Sequence, residues 1–137
     1  MDAVVHDGIS KEVAEKILSL QRRCFVCGAA WPLHIHHRIF RSEGEVGLRK
    51  HLAVALKLYE KCYGVAIEPW GLHDIQNLIV LCKEHHEGET GVHGGNEPLR
   101  EFIKNSFTCP LTGFNRYYFS LEFYKRKQLL SSLNNNV

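Results

Sequence analysis

The stretch from Asn77 to His86, Asn-Leu-Ile-Val-Leu-Cys-Lys-Glu-His-His, follows an apolar run with three potential metal ligands, Cys82, His85 and His86. Thiolates and imidazoles are the donor set that zinc prefers, and two such ligands separated by two residues can reach one ion from a tight turn. Cys82 and His85 have that spacing, and Cys24-Phe-Val-Cys27 supplies a matching half upstream. Gly28 gives such a knuckle the backbone freedom it needs. A thioredoxin-like redox pair would open a helix in an α/β pattern. Here a helical pattern precedes the motif and Gly-Ala-Ala-Trp-Pro follows it, so metal binding is the reading. Cys109, in Thr-Cys-Pro, is the alternative to His85 as fourth ligand. Cys62 falls on an apolar helical stripe and reads as a buried core thiol.

Between the two halves lies His34-Ile-His36-His37-Arg38. Three histidines among four residues are hard to explain as packing, and they suggest a second metal. By strand period His34 and His36 share one face and could chelate together, with His37 on the other. A structural role for His34 remains open. Arg38 and Arg41 follow, and a guanidinium pairs well with phosphate oxygens.

These side chains need elements to position them. Ser10 reads as an N-cap for a helix over 11–22, with Val13, Ile17, Leu18 and Leu20 at helical spacing. Leu33 to Phe40 reads as a strand, and 42–47 as a flexible loop. Leu52, Val54, Ala55, Leu58, Tyr59 and Cys62 predict a helix over 48–63, with Gly64 as its C-cap. Residues 64–76 read as an irregular connection in which Trp70 packs on the metal module. A strand over 78–81 and a short helix from Lys83, ended by Gly88, follow. The glycine-rich segment 87–96 reads as a loop carrying His93. Pro98 begins a helix to Ser106, and roughly 116–132 reads as a final helix. Aromatics around it, interleaved with Lys125-Arg126-Lys127, either close the core or a dimer surface, or clamp nucleic acid.

The chain of 137 residues reads as a single domain, long enough for a modest core and short enough to profit from a metal staple. Its hydrophobic fraction of 45% and charged fraction of 23% are those of a soluble globular protein. No apolar run approaches the ~20 residues of a membrane span, and the opening Met1-Asp2-Ala3-Val4 does not begin a signal peptide. The expectation is a soluble, cytoplasmic protein. The net charge of +2 is small, but it is unevenly placed. Residues 22–50 carry six cationic side chains against Glu43 and Glu45, and residues 100–127 carry six against Glu101 and Glu122. Such basic segments suit a phosphate-bearing partner.

Taken together, Cys24-x-x-Cys27, His36-His37-Arg38-Ile39, Asn77-Leu78-x-x-Leu81-Cys82 and His85-His86 with His93 downstream resemble the HNH endonuclease family. That family belongs to the ββα-metal (His-Me finger) nucleases, and the resemblance covers about 24–93. It implies an α+β fold with a small ββα-metal core, a zinc knuckle and flanking helices. It implies that His36 and His86 bind a catalytic divalent cation with His93 as the trailing histidine, and that His37 is the general base. This replaces the pairing of His34 with His36. Asn77 would hold the His37 loop through backbone hydrogen bonds, and Cys24, Cys27 and Cys82 would hold structural zinc. His85 stands where the family has a fourth cysteine, which leaves an ordinary Cys₃His set. The helix over 48–63 would be an insertion between the two strands, giving target specificity or a dimer contact. The implied activity is hydrolysis of DNA, rather than RNA, to a 5′-phosphate and a 3′-hydroxyl. An all-histidine site accepts Mg²⁺, Mn²⁺ or Ni²⁺, with softer ions tolerated better than by carboxylates. Compact enzymes of this kind resemble phage and mobile-element nucleases, and a homodimer would let one active site per subunit cut both strands. The rival reading is a zinc-stapled DNA- or RNA-binding module without catalysis.

Overall fold

The computed structural model describes residues 8–119, a small α+β protein with helices around two short antiparallel sheets. Helix α1 spans Lys11–Leu20, with the Ser10 hydroxyl accepting from Val13 N at 3.1 Å as its cap. It buries Ala14 and Ile17. The helix ends two residues before the expected limit because Gln21 is used elsewhere. Its side-chain oxygen accepts from Val80 N at 2.8 Å and its amide donates to Gly113 O at 2.8 Å. Val80 O in turn accepts from Phe25 N, so the Cys24–Cys27 turn is tied to the free edge of a strand.

That strand, β2 (Leu78–Cys82), pairs antiparallel with β1 (Leu33–His37), Leu33 opposite Cys82 and His37 opposite Leu78. All ten residues are buried. Leu33 and Ile35 join Ile17, Leu78, Val80, Val92 and Ile103 in one apolar core. The expected strand to Phe40 stops at His37. Arg38 N still donates to Asn77 O at 2.7 Å, but the Asn77 side chain then takes both the N–H and the carbonyl of Ile39, at 2.9 and 3.2 Å. A side chain has replaced the next rung of the ladder, and the chain turns away.

After a 3₁₀ turn at Arg41–Glu43, α2 runs Gly44–Tyr63 and ends at Gly64 in the left-handed region, φ 72°. The residues expected to form a flexible loop are the 3₁₀ turn and the first turn of this helix. Gly44 and Gly47 argue locally against helix, but burial of Leu48, Leu52, Ala55 and Tyr59 along one stripe outweighs them. These residues build a second core with Ile39, Trp70, Leu72, Phe107 and Tyr118. Trp70 therefore packs here, its ring 5.1 Å from Phe107, and not on the cysteine cluster as expected. Cys62 lies only half buried at the edge of the helix, not in the core.

Helix α3 (Lys83–Glu87) follows β2 directly and stops at Gly88 as expected. Helix α4 (Glu97–Lys104) is capped by Asn96, with Pro98 in its first turn. It ends two residues early because Ser106–Thr108 forms a strand, β3, which pairs with β4 (Asn115–Tyr117). This hairpin replaces the start of the expected final helix; the remainder of that helix and the Lys125-Arg126-Lys127 run lie outside the described residues. No described helix is long and apolar enough to cross a membrane.

Candidate metal centres and cleft

Cys24, Cys27, Cys82 and His85 converge, with their ligand atoms all within 4.8 Å of one another. Cys27 Sγ lies 3.7 Å from Cys82 Sγ, and His85 Nδ1 lies 3.2 Å from Cys82 Sγ and 3.8 Å from Cys24 Sγ. A tetrahedral zinc with bonds of ~2.3 Å to sulfur and ~2.0 Å to nitrogen needs edges of roughly 3.5–3.8 Å, so this set fits. The four residues can hold a metal such as zinc, with His85 rather than Cys109 as fourth member. Cys109 lies in the β3–β4 connection, outside the group. Burial alone would raise the Cys24 thiol, but the backbone N–H groups of Cys82, Cys27 and Val26 point at its sulfur and hold it below its ordinary value. Burial and the neighbouring Cys27 and Cys24 sulfurs raise the Cys82 thiol. A divalent cation would favour the thiolate form of all three cysteines, against the burial that raises Cys82.

The second group is His36, His86 and His93, again with one ligand nitrogen each within 4.8 Å. Ring centroids are 5.2 Å apart for His36–His86, 5.1 Å for His36–His93 and 4.8 Å for His86–His93. His36 comes from β1, His86 from α3, and both are almost fully buried. His93 arrives through the glycine-rich loop, which folds back so that Val92 N and His93 N donate to the His85 and His86 carbonyls at 3.0 Å each. Those carbonyls are ones the helix end leaves without intrahelical partners. Such close backbone approach needs glycine: a Cβ on Gly91 would stand 2.6 Å from Glu84 O, and one on Gly94 would strike Gly88 O. The pKa of His93 lies below its ordinary value, chiefly through burial and also through the Arg100 charge, with Glu87 opposing. That favours the neutral imidazole a cation requires.

A cleft of about 300 Å³ lies beside this group, lined by His36, His37, Phe40, Arg41, Ser42 and His93. Four protein ligands close the cysteine centre, whereas three histidines at a cleft leave room for water or substrate. His37 Nε2 meets Nδ1 of His73 at 2.9 Å. His73 was not singled out from the sequence; its only local signal is the Gly71–Asp74 turn, closed by Gly71 N donating to Asp74 Oδ2 at 2.7 Å. Asn77 connects the two, because its amide donates to Leu72 O at 2.8 Å as well as to Ile39 O. One buried asparagine therefore fixes the segments that carry both histidines.

Of the two arginines expected to meet phosphate, Arg41 lines the cleft and Arg38 does not. The Arg38 side chain is buried at 2% exposure, its guanidinium donating to Ile103 O at 3.0 Å, Ser106 Oγ at 2.8 Å and Thr108 Oγ1 at 2.9 Å. Burial pushes it down to about 9, with the Tyr118 and Tyr117 phenols opposing. It braces the β3 hairpin. Arg100, whose charge reaches His93, is a cation near the site that the sequence did not single out. Comparison with protein-family models, with curated proteins and with solved structures gives no match.

Proposed function

We propose that this protein is a metal-dependent endonuclease of the HNH, ββα-metal type that hydrolyses DNA phosphodiester bonds. The observation that carries the reading is the convergence of His36, His86 and His93 beside His37, at a cleft lined by Arg41, on a β1–β2–α3 unit next to a Cys₃His cluster. A zinc-binding module alone needs only the cysteines and His85. It has no use for a second, open histidine triad or for an asparagine spent on bracing the segment beside it.

His36, His86 and His93 would hold the divalent cation. When bound, that ion supplies charge neutralisation at the phosphoryl and departing oxygens, which a poor electrophile such as a phosphodiester requires. His37 accepts a proton from the attacking water, whose oxygen bonds to phosphorus as the P–O3′ bond breaks; the products are a 5′-phosphate and a 3′-hydroxyl. An imidazole is suited to this near neutral pH. His73 orients the base. With the proton on His37 Nε2 donated to His73 Nδ1, the basic lone pair of His37 lies on Nδ1, and the positive charge formed on proton uptake is shared with a hydrogen-bonded neighbour. Arg41 holds a phosphate oxygen at the mouth of the cleft.

Cleavage of supercoiled plasmid tests the reading, using zinc-loaded wild type and His37→Ala with Mg²⁺, Mn²⁺, Ni²⁺ or EDTA. Wild type should nick only with added cation, and the folded variant should lose at least about a hundredfold in rate. Binding of DNA by both proteins with no cutting under any ion would instead establish a non-catalytic binding module.

A further inference from the structure

His34 has no part in the reaction proposed above, yet it is only 4% exposed and sits directly behind one of the proposed ligands. Its Nδ1 lies 2.8 Å from Nδ1 of His86, with the rings edge to face and their centroids 5.0 Å apart. The same nitrogen is 3.8 Å from Oε1 of the half-exposed Glu87. His34, His86 and Glu87 also group closely enough to hold an ion themselves, so His86 belongs to two triads.

One neutral imidazole cannot serve both. It has a single basic lone pair, and the nitrogen that keeps its proton cannot ligate. The distances decide between them. Two ligand atoms on one cation with bonds of ~2.0–2.1 Å stand roughly 3.4 Å apart when it is tetrahedral and roughly 3.0 Å apart when it is octahedral, so the 3.8 Å from His34 Nδ1 to Glu87 Oε1 fits neither, whereas the 2.8 Å between the two Nδ1 atoms is hydrogen-bond length. One of the two Nδ1 atoms must therefore donate and the other accept.

We infer that His34 is a positioning residue for the cation site: its Nδ1 accepts the Nδ1 proton of His86 and so holds His86 in the tautomer whose Nε2 binds a divalent cation beside His36 and His93. This rests on the cation site of the proposed function. Glu87, beyond hydrogen-bond reach, acts through its charge, which makes the His34–His86 pair a better donor set for a cation. Partners of this kind behind a ligating histidine fix its ring and proton, and their loss costs about 10–100-fold in metal affinity.

The test is calorimetric titration of zinc-loaded protein with Ni²⁺ alone, without DNA. In His34→Asn the amide oxygen can take the place of Nδ1, whereas in His34→Gln it reaches the position of Nε2 and cannot accept from His86. His34→Gln should bind Ni²⁺ about 10–100-fold more weakly than wild type, with His34→Asn recovering most of the loss, at unchanged zinc content. In wild type, ¹⁵N shifts of the His86 ring should report a protonated Nδ1, which tests the idea even if a variant fails to fold. Equal Ni²⁺ affinity in wild type and His34→Gln would overturn it. So would loss of binding in Glu87→Ala but not His93→Ala, which places the ion in the other triad. If wild type binds Ni²⁺ at neither triad, the cation site itself fails and this inference with it.

Discussion

At the scale of single residues, position in the fold separates chemically similar side chains into different work. Of the histidines on β1, on α3 and in the loop after it, His85 reaches the cysteine cluster, His36, His86 and His93 converge beside the cleft and His34 stands behind them. His37 is distinguished by its contact with His73. On the nuclease reading that contact has a measurable consequence. His73→Ala should lower kcat about tenfold or more with little change in KM, because an unoriented base affects the transition state and not the binding of DNA. His73→Asn, which keeps an acceptor where Nδ1 stood, should recover much of the loss. Single-turnover cleavage of an end-labelled duplex reads both numbers. A His73→Ala enzyme as fast as wild type would remove His73 from the mechanism.

At the scale of elements, the parts legible in the sequence are those held by short-range chemistry. Ser10 caps α1, Gly64 ends α2, Gly88 ends α3, and the spacing Cys82 to His85 turns a strand end into half a metal site. The backbone role expected of Asn77 is also what its three side-chain hydrogen bonds do. What the sequence hid depends on distant partners. Ser106–Thr108 reads as the end of a helix because nothing local reveals β4, and Arg38 reads as a phosphate ligand because nothing local reveals three acceptors on α4 and β3. His73 lacks any motif, since its partner arrives from the far side of a 20-residue helix. The corrected role of Arg38 makes a prediction at this level. Arg38→Ala should destabilise the fold by about 3 kcal/mol, from the cavity and the lost hydrogen bonds. Arg38→Met should cost less, because it fills the space and removes the desolvation of a buried cation that has no carboxylate partner among the described residues. The exposed Arg41→Ala should leave stability within about 0.5 kcal/mol and weaken DNA binding instead. Urea unfolding and filter binding of the three variants separate the roles, and equal stability of Arg38→Ala and wild type would refute the bracing assignment.

At the scale of the whole molecule, the two groups that could hold a metal are mechanically joined. Cys24 and Cys27 follow α1, Cys82 ends β2, and His85 stands in α3 immediately before His86. An ion in the cysteine cluster therefore clamps a five-residue helix that could not persist alone, and that helix carries a ligand of the histidine triad. The chain is small, its core is split into two clusters, and binding free energy of a structural zinc is folding free energy in such proteins. The two ions should then leave in order and with different effects. A weak chelator should strip the histidine site, where His36 and His93 line a cleft, and abolish cleavage with the melting temperature little changed. Removing the ion from the cysteine cluster, by a stronger chelator or by Cys27→Ser, should lower the melting temperature by more than about 10 °C, equivalent to several kcal/mol. It should also abolish Ni²⁺ binding by the triad, although no triad residue has changed. Restoring zinc to the wild-type protein should restore both. Scanning calorimetry paired with Ni²⁺ titration checks this coupling, and a zinc-free protein that still binds Ni²⁺ with wild-type affinity would show that α3 keeps its place without the clamp.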